Sequence, residues 1–389
     1  MPGDSLTASD CDAVLVTLAD LISINSVNPH YPGGPGEKGV ADYVAHFLKK
    51  HSIPFKLQPV AGERANVIAR IEGPAGGHTI VLEAHMDTAS EQGMTIDAFR
   101  PLREGNRMYG RGSCDTKGGL AAMMHAMRLL SHPRMRAANT VILAAVVDEE
   151  YSFRGVVKFL ENGAKADGAV VAEPTDVNTV VASKGVLRWR IRSRGRSAHS
   201  SKPLLGINAV SKMAKLILAM EEKFSREFAQ RRHPLLGIPT LNVGIIKGGN
   251  QVNQVPDLCV VEVDRRLIPG ETRDQVWSEF HDLFSELRRD DLELQFEMDP
   301  PYLEDFPLET APTETIVQAA RRASQEVCGQ SNLLGVPYGS DASKLARCGI
   351  PSVILGPGSI DQAHAAEEYV DVNQVLQATE IYTRIALQF

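Results

Sequence analysis

Cysteine is scarce in this sequence and has no pattern. The five thiols are Cys11, Cys114, Cys259, Cys328 and Cys348. An odd count with no Cys-x-x-Cys pair argues against a disulfide framework and a cysteine-only zinc site, and for a reducing compartment. No apolar run approaches the ~20 residues that a bilayer-crossing helix needs. The opening segment MPGDSLTASDCDAV lacks the basic-then-apolar order of a secretion signal. The expected location is the cytoplasm, with no membrane partner. Positive charge is not in excess either: 41 Lys and Arg stand against 48 Asp and Glu, a net charge of -7. Nucleic-acid binding leans on a basic field, so no nucleic-acid partner is expected. A Gly-x-Ser-x-Gly elbow is missing, which disfavours a serine hydrolase. Internal repeats and low-complexity tracts are absent as well.

What is present fits a soluble α/β protein. With 389 residues, 43% of them apolar, the chain is long enough for two cores. Apolar positions at helical spacing mark residues 9–24 and 39–50. TIVLEAH (79–85), TVILAAVVDEE (140–150) and GAVVAEPT (168–175) are buried strands that end in polar clusters, and GLAAMMHAMRLL (119–130) is a buried helix. That alternation predicts a mainly parallel central sheet with helices on both faces. From residue 183 the order becomes β-α-β-β-α-β, a ferredoxin-like α+β layout, beginning with VLRWRIRSRG, whose alternation predicts one wet face. The expected organisation is a catalytic domain in two parts, 1–182 and 302–389, with 183–301 inserted as a second domain.

The chemistry gathers at the ends of the apolar strands, where α/β sheets build their sites. His85 and Asp87 lie two apart, so a carboxylate could fix the imidazole tautomer and free the other nitrogen for a metal. A buried, carboxylate-paired structural histidine is the alternative. GRGSCDTKGG (110–119) could be taken for a dinucleotide loop and an oxidoreductase. However, Asp115 stands where the third glycine belongs, and no buried strand precedes it. Asp115 could instead bridge two cations, or simply cap a helix. The run Asp148-Glu149-Glu150 would repel itself unless a cation neutralised it. One acid could then ligate while its neighbour stayed free as a base. Glu173 in AEPT and His364 in QAH complete the set. Each taken singly has a bland reading, as a loop acid or a surface histidine. Two histidines with three carboxylates at strand ends suit zinc, cobalt or manganese.

The motifs LEAHMDT, GRGSCDTKGG, DEE, AEPT and QAH before EEYV, taken together, resemble the di-zinc aminoacylase and carboxypeptidase superfamily over nearly the whole chain. The resemblance implies that His85, Asp115 and Glu173 hold one ion and Asp115, Glu150 and His364 the other. It assigns Asp87 as support for His85 and Glu149 as general base, and expects a cis bond at Asp115–Thr116. It makes the inserted domain a lid that pairs two subunits into a homodimer, with His199 reaching the partner's site to stabilise an oxyanion. Asn253, Arg266, Gly339 and Ser340, with Asp341 beside them, match substrate-binding positions. The activity implied is hydrolysis of the amide of a small N-acyl amino acid. The layout is most like acetylornithine deacetylase, a place in arginine biosynthesis, with desuccinylase, carboxypeptidase or dipeptidase action as alternatives. A non-catalytic metal-binding protein on the same fold would be marked by loss of the base or a ligand, and neither is lost.

Overall fold

The computed structural model describes residues 6–132, 135, 138–330 and 332–389. They form two compact units: one of residues up to Val181, Glu309–Leu334 and Ser340–Phe389, the other of Ala182–Leu308 and Gly335–Gly339.

In the first unit the alternating pattern produces the expected sheet. Strands Thr140–Val146, Thr79–His85, Gly168–Val171 and Ser352–Ile354 lie side by side and parallel. Antiparallel strands extend both edges. The hairpin Phe55–Ala61/Arg64–Ile71 joins on one side and Thr179–Ser183 on the other. The hairpin was not expected; on its outer strand Leu57 is exposed and Gln58 buried, so polarity there does not follow burial. Its two-residue Gly62-Glu63 connection, with Gly62 at φ +57, is the local signal for it. Helices cover both faces. Ile80, Leu82 and Ala84 point into the core shared with helices Ala8–Ser23, Gly118–Leu130 and Val372–Gln388. Val81 and Glu83, of opposite parity, face the side on which helices Arg154–Glu161 and Ala342–Arg347 pack. The first helix starts at a reciprocal Thr7–Asp10 capping box.

The second unit is an antiparallel sheet in the order Thr240–Gly248, Leu258–Leu267, Gly185–Arg194, Gln295–Met298, with helices Ala209–Phe228 and Arg273–Asp290. The alternation in VLRWRIRSRG divides the strand as expected. Leu187, Trp189 and Ile191 join Met213, Leu216, Phe224 and Phe280 in a core, while Arg188, Arg190, Arg192 and Arg194 pair with Asp264, Glu262, Asp299 and Glu297 on the open face. Those exposed pairs contribute little, about 0–1 kcal/mol each. The core carries the stability of this unit. Among the described residues no helix is long and apolar enough to cross a membrane.

Trp189 is fully buried against Trp277 and Phe280, and the chain's two tryptophans both lie in this unit. Replacing Trp189 by Ala is expected to destabilise the second unit by about 3–5 kcal/mol. Urea unfolding followed by the fluorescence of the remaining Trp277 measures it.

Candidate metal centre

The carboxyl ends of the parallel strands bring the predicted ligands together in the first unit. His85 ends its strand and is buried; its Nε2 lies 3.0 Å from Asp115 Oδ1 and 3.9 Å from Glu173 Oε1. On the other side, His364 Nε2 lies 3.4 Å from Asp115 Oδ2 and 3.2 Å from Glu150 Oε1. The two oxygens of Asp115 thus face two separate groups. Within each of the triads His85/Asp115/Glu173 and Asp115/Glu150/His364 the possible ligand atoms lie within 4.8 Å of one another. His364 adopts a left-handed backbone at φ +58, a region that non-glycine residues enter rarely and often at functional sites.

Electrostatics shows why this donor set fits divalent cations. Burial raises the carboxyls of Glu173 and Glu149 well above the ordinary range, and neighbouring acids raise them further: Asp115 and Glu149 for Glu173, Asp341 and Glu150 for Glu149. Burial raises Glu150 also. Burial would lower His85, but Asp115, Glu173 and Glu149 hold it well above its usual value. Hydrogen bonds to Asp115 and Glu150 push His364 up to about 11. Burial would raise Asp115, yet His364 and His85 hold it low. Protons on the imidazoles therefore stand where cations would balance the same charge. Deprotonated His and carboxylate are the forms that ligate a metal.

The supporting residues differ in part from expectation. Asp87 does not orient His85 with its carboxylate. The ring Nδ1 lies 3.0 Å from the backbone carbonyl of Asp87, whereas the nearest carboxylate oxygen is 3.7 Å away. That carboxylate is engaged elsewhere, accepting the backbone N–H groups of Glu149 and Glu150 at 3.2 and 3.1 Å and the Asn28 amide at 2.8 Å. Asp87 thus fixes the turn that carries the acids. Asp148, the first of the three adjacent acids, faces away from both triads. It binds Arg64 at 2.8 Å and Arg154 at 2.6 Å. Burial would raise it, but Arg154, Ser152, Asn28 and Arg64 bring it down to about 2. Its charge is neutralised by arginine, so only Glu149 and Glu150 are left to the centre. Asp115 is not a helix cap either: the N-cap position of Gly118–Leu130 is Lys117, and no side chain caps that helix; the Asp115–Thr116 peptide is cis, as the resemblance implies.

Three buried groups escaped the sequence reading. Glu368 accepts the N–H groups of Gly112, Cys114 and Asp115 at 2.9–3.1 Å and the Arg111 guanidinium at 2.7 Å, and so shapes the Asp115 loop. Its only signal was the EEYV that follows QAH. Lys117 donates to the Ile24 carbonyl at 2.7 Å, and burial brings its ammonium down to about 7. Glu83, inside the strand that delivers His85, is pushed well above the carboxylate range by burial and then by Asp341.

Of the expected substrate-binding residues, Ser340 lies buried in the first unit, where its hydroxyl accepts the Ala342 N–H at 3.3 Å. The others belong to the second unit. His199 is exposed, and its Nδ1 lies 2.8 Å from the Ser201 hydroxyl and 3.2 Å from the Ser201 backbone nitrogen. The adjacent Asn253 carbonyl accepts the Ser200 N–H at 3.0 Å. Arg266 is paired with Asp264 at 2.8 Å. Gly339 lies so close to Asp305 that a Cβ there would collide with its carboxylate.

The model of peptidase family M20/M25/M40 matches residues 81–388. The chain is similar to the acetylornithine deacetylase of Vibrio cholerae serotype O1, with 30% identity over 347 residues covering 86% of this chain and 87% of the relative. It is also similar to N-formyl-4-amino-5-aminomethyl-2-methylpyrimidine deformylase of Bacillus subtilis (strain 168), with 27% identity over 387 residues covering 92% and 90%. Among solved structures, a tripeptidase from Staphylococcus aureus subsp. aureus Mu50 superposes with a TM-score of 0.80 at 21% identity, covering 96% of this chain and 97% of the other, a likeness of fold.

Glu368→Gln keeps the shape of the side chain but gives up one acceptor among three backbone donors and an arginine. It is expected to weaken zinc binding about 10–100-fold, read by competition with a chelator of known affinity.

Proposed function

The chain belongs to peptidase family M20/M25/M40 and is a metal-dependent amidohydrolase, and from that premise we propose that it removes the acyl group from a small N-acyl amino acid of the acetylornithine type. The observation that carries the reading is the position of Asp115 between two triads, with an unligated acid, Glu149, beside them. In this proposal His85, Asp115 and Glu173 hold one divalent ion and Asp115, Glu150 and His364 the other, zinc being the first choice and cobalt or manganese compatible with the same donors. When bound, such ions polarise the scissile carbonyl and acidify the attacking water. Glu149 takes the water's proton on a carboxylate oxygen and delivers it to the departing nitrogen. Its turn is held by two backbone hydrogen bonds to Asp87, which keeps the base in place through both transfers. His199 is the oxyanion donor, contributed by the lid of a second copy. Asn253, Arg266, Gly339 and Ser340 are the substrate-binding residues in this reading. Arg266 would exchange its ion pair with Asp264 for a substrate carboxylate.

A homodimer through the second unit is part of the same proposal. Thr240–Gly248 is an edge strand of its sheet, with Ile245 and Ile246 exposed on it and Leu218 exposed on the helix Ala209–Phe228. An open edge with apolar residues is a template for pairing with another strand, and a second copy supplies an identical one. Deformylation of an aminomethylpyrimidine is the second reading, favoured by the 27% identical relative.

Zinc-loaded protein assayed against N-acetylornithine, N-succinyl-diaminopimelate, the N-formylated aminomethylpyrimidine and a dipeptide panel tests the proposal. Turnover is expected on N-acetylornithine; hydrolysis of only succinylated or peptide substrates overturns the choice. Glu149→Ala is expected to bind two metal equivalents and lose nearly all turnover. His199→Ala should keep its metal and lose about 10²–10³ in kcat. Metal analysis beside initial rates separates these outcomes from simple loss of the centre.

A further inference from the structure

We propose that the rings of His30, Tyr31 and Tyr151 form a rim beside the metal centre that stacks against a flat ring where a substrate carries one, extending the range of substrates from the acetylornithine type to aromatic N-acyl compounds. The inference rests on reading the centre as an amide-hydrolysing site. All three residues belong to the first unit. Tyr151 directly follows the Glu149-Glu150 turn. Its ring lies 3.5 Å from that of His30, centroid to centroid, at an interplanar angle of 13°, and Tyr31 stands edge-on to His30 at 5.9 Å and 69°. Tyr151 is 45% exposed, so this stack presents an aromatic surface to solvent. Tyr31 is half-buried; burial first, and then the charges of Glu150, Asp87 and Glu149, make its phenol harder to ionise, which places it within electrostatic reach of the acids.

The loop that carries His30 and Tyr31 is fixed, as a binding surface must be. Asn28 donates its side-chain amide to Asp87 at 2.8 Å and to Asp148 at 3.0 Å, tying the start of the loop to the carboxylates that hold the acid turn. The Asn28 N–H bonds the Thr88 carbonyl and the Thr88 N–H bonds the Ser26 carbonyl, which staples the segment beside His85–Thr88. The chain then folds back so tightly that a Cβ on Gly34 would collide with the carbonyl oxygens of Asn28 and Val27. Aromatic faces favour flat partners in offset or edge-on contact over puckered ones of equal size. The acids beside the rim add a preference for rings that carry positive charge.

N-acetylphenylalanine and N-acetylcyclohexylalanine share a skeleton and differ in ring flatness, so their ratio of kcat/KM isolates stacking. Zinc-loaded wild type is expected to favour the flat substrate roughly threefold to tenfold. Tyr151→Ala should abolish the preference through KM with its metal content retained, and Tyr151→Phe, which keeps the ring, should preserve it. Equal rates in wild type, an unchanged ratio in Tyr151→Ala, or a loss that tracks kcat and metal content overturns the rim. If wild type cleaves neither compound nor any member of the panel above, the amide-hydrolysis reading fails. The rim is then decided by calorimetry with phenylethylamine and cyclohexylethylamine: tighter binding of the flat amine by wild type but not by Tyr151→Ala sustains it, and equal binding overturns it.

Discussion

Asp115 is the residue on which the site depends. Its carboxylate presents one oxygen to His85 and Glu173 and the other to Glu150 and His364, at a depth where water screens poorly. Four carboxylates around two imidazoles cannot all stay ionised without compensating positive charge. Protons can supply it, as the raised histidines and glutamates indicate; divalent ions do so while leaving Glu149 available to accept a proton. The arrangement that makes the cluster electrostatically costly when empty is thus one that divalent ions would stabilise.

Holding these acids apart from one another requires further carboxylates. Asp87, Asp148 and Glu368 are fully buried, and each spends its charge on donors instead of on the centre. Asp87 fixes the Glu149-Glu150 turn, Glu368 fixes the Asp115 loop, and Asp148 binds two arginines and Asn28. Charge-assisted hydrogen bonds to backbone N–H groups are short and directional. A neutral residue at Asp87 or Glu368 would leave backbone donors without a strong acceptor, and one at Asp148 would leave Arg64 and Arg154 without their carboxylate.

How much of this could be read in the sequence follows from the range of each interaction. Strand and helix periods are local, so Thr79–His85, Gly118–Leu130 and the alternation from Gly185 to Arg194 were legible almost to the residue. The clustering of the candidate ligands was legible because apolar strands that end in acids or histidine are unusual and several coincided. Partner choice was not. Asp87 was expected to serve its neighbour His85, but its carboxylate turned to backbone groups some sixty residues away. Three adjacent acids invited one explanation, and Arg64 and Arg154 gave Asp148 a different one. Glu368 acts on Asp115 across 253 positions, which no spacing rule can reveal.

The same distinction separates what this chain does from what it does it to. Every candidate ligand, the proposed base Glu149 and the residues that brace them lie in the first unit, so the groups proposed for the chemistry share one core. The residues proposed for substrate choice have no such single address. His199, Asn253 and Arg266 stand on the second unit, whereas the ring surface of His30, Tyr31 and Tyr151 grows from the same turn and loop that position the acids. On the proposed reading, a change at Tyr151 would alter the surface beside the centre without touching a candidate ligand, whereas a change at Asp87 would release the turn that carries Glu149 and Glu150. Relatives 27–30% identical to this chain are named for different amides, one for deacetylation and one for deformylation, which fits a division between the class of chemistry and the choice of substrate.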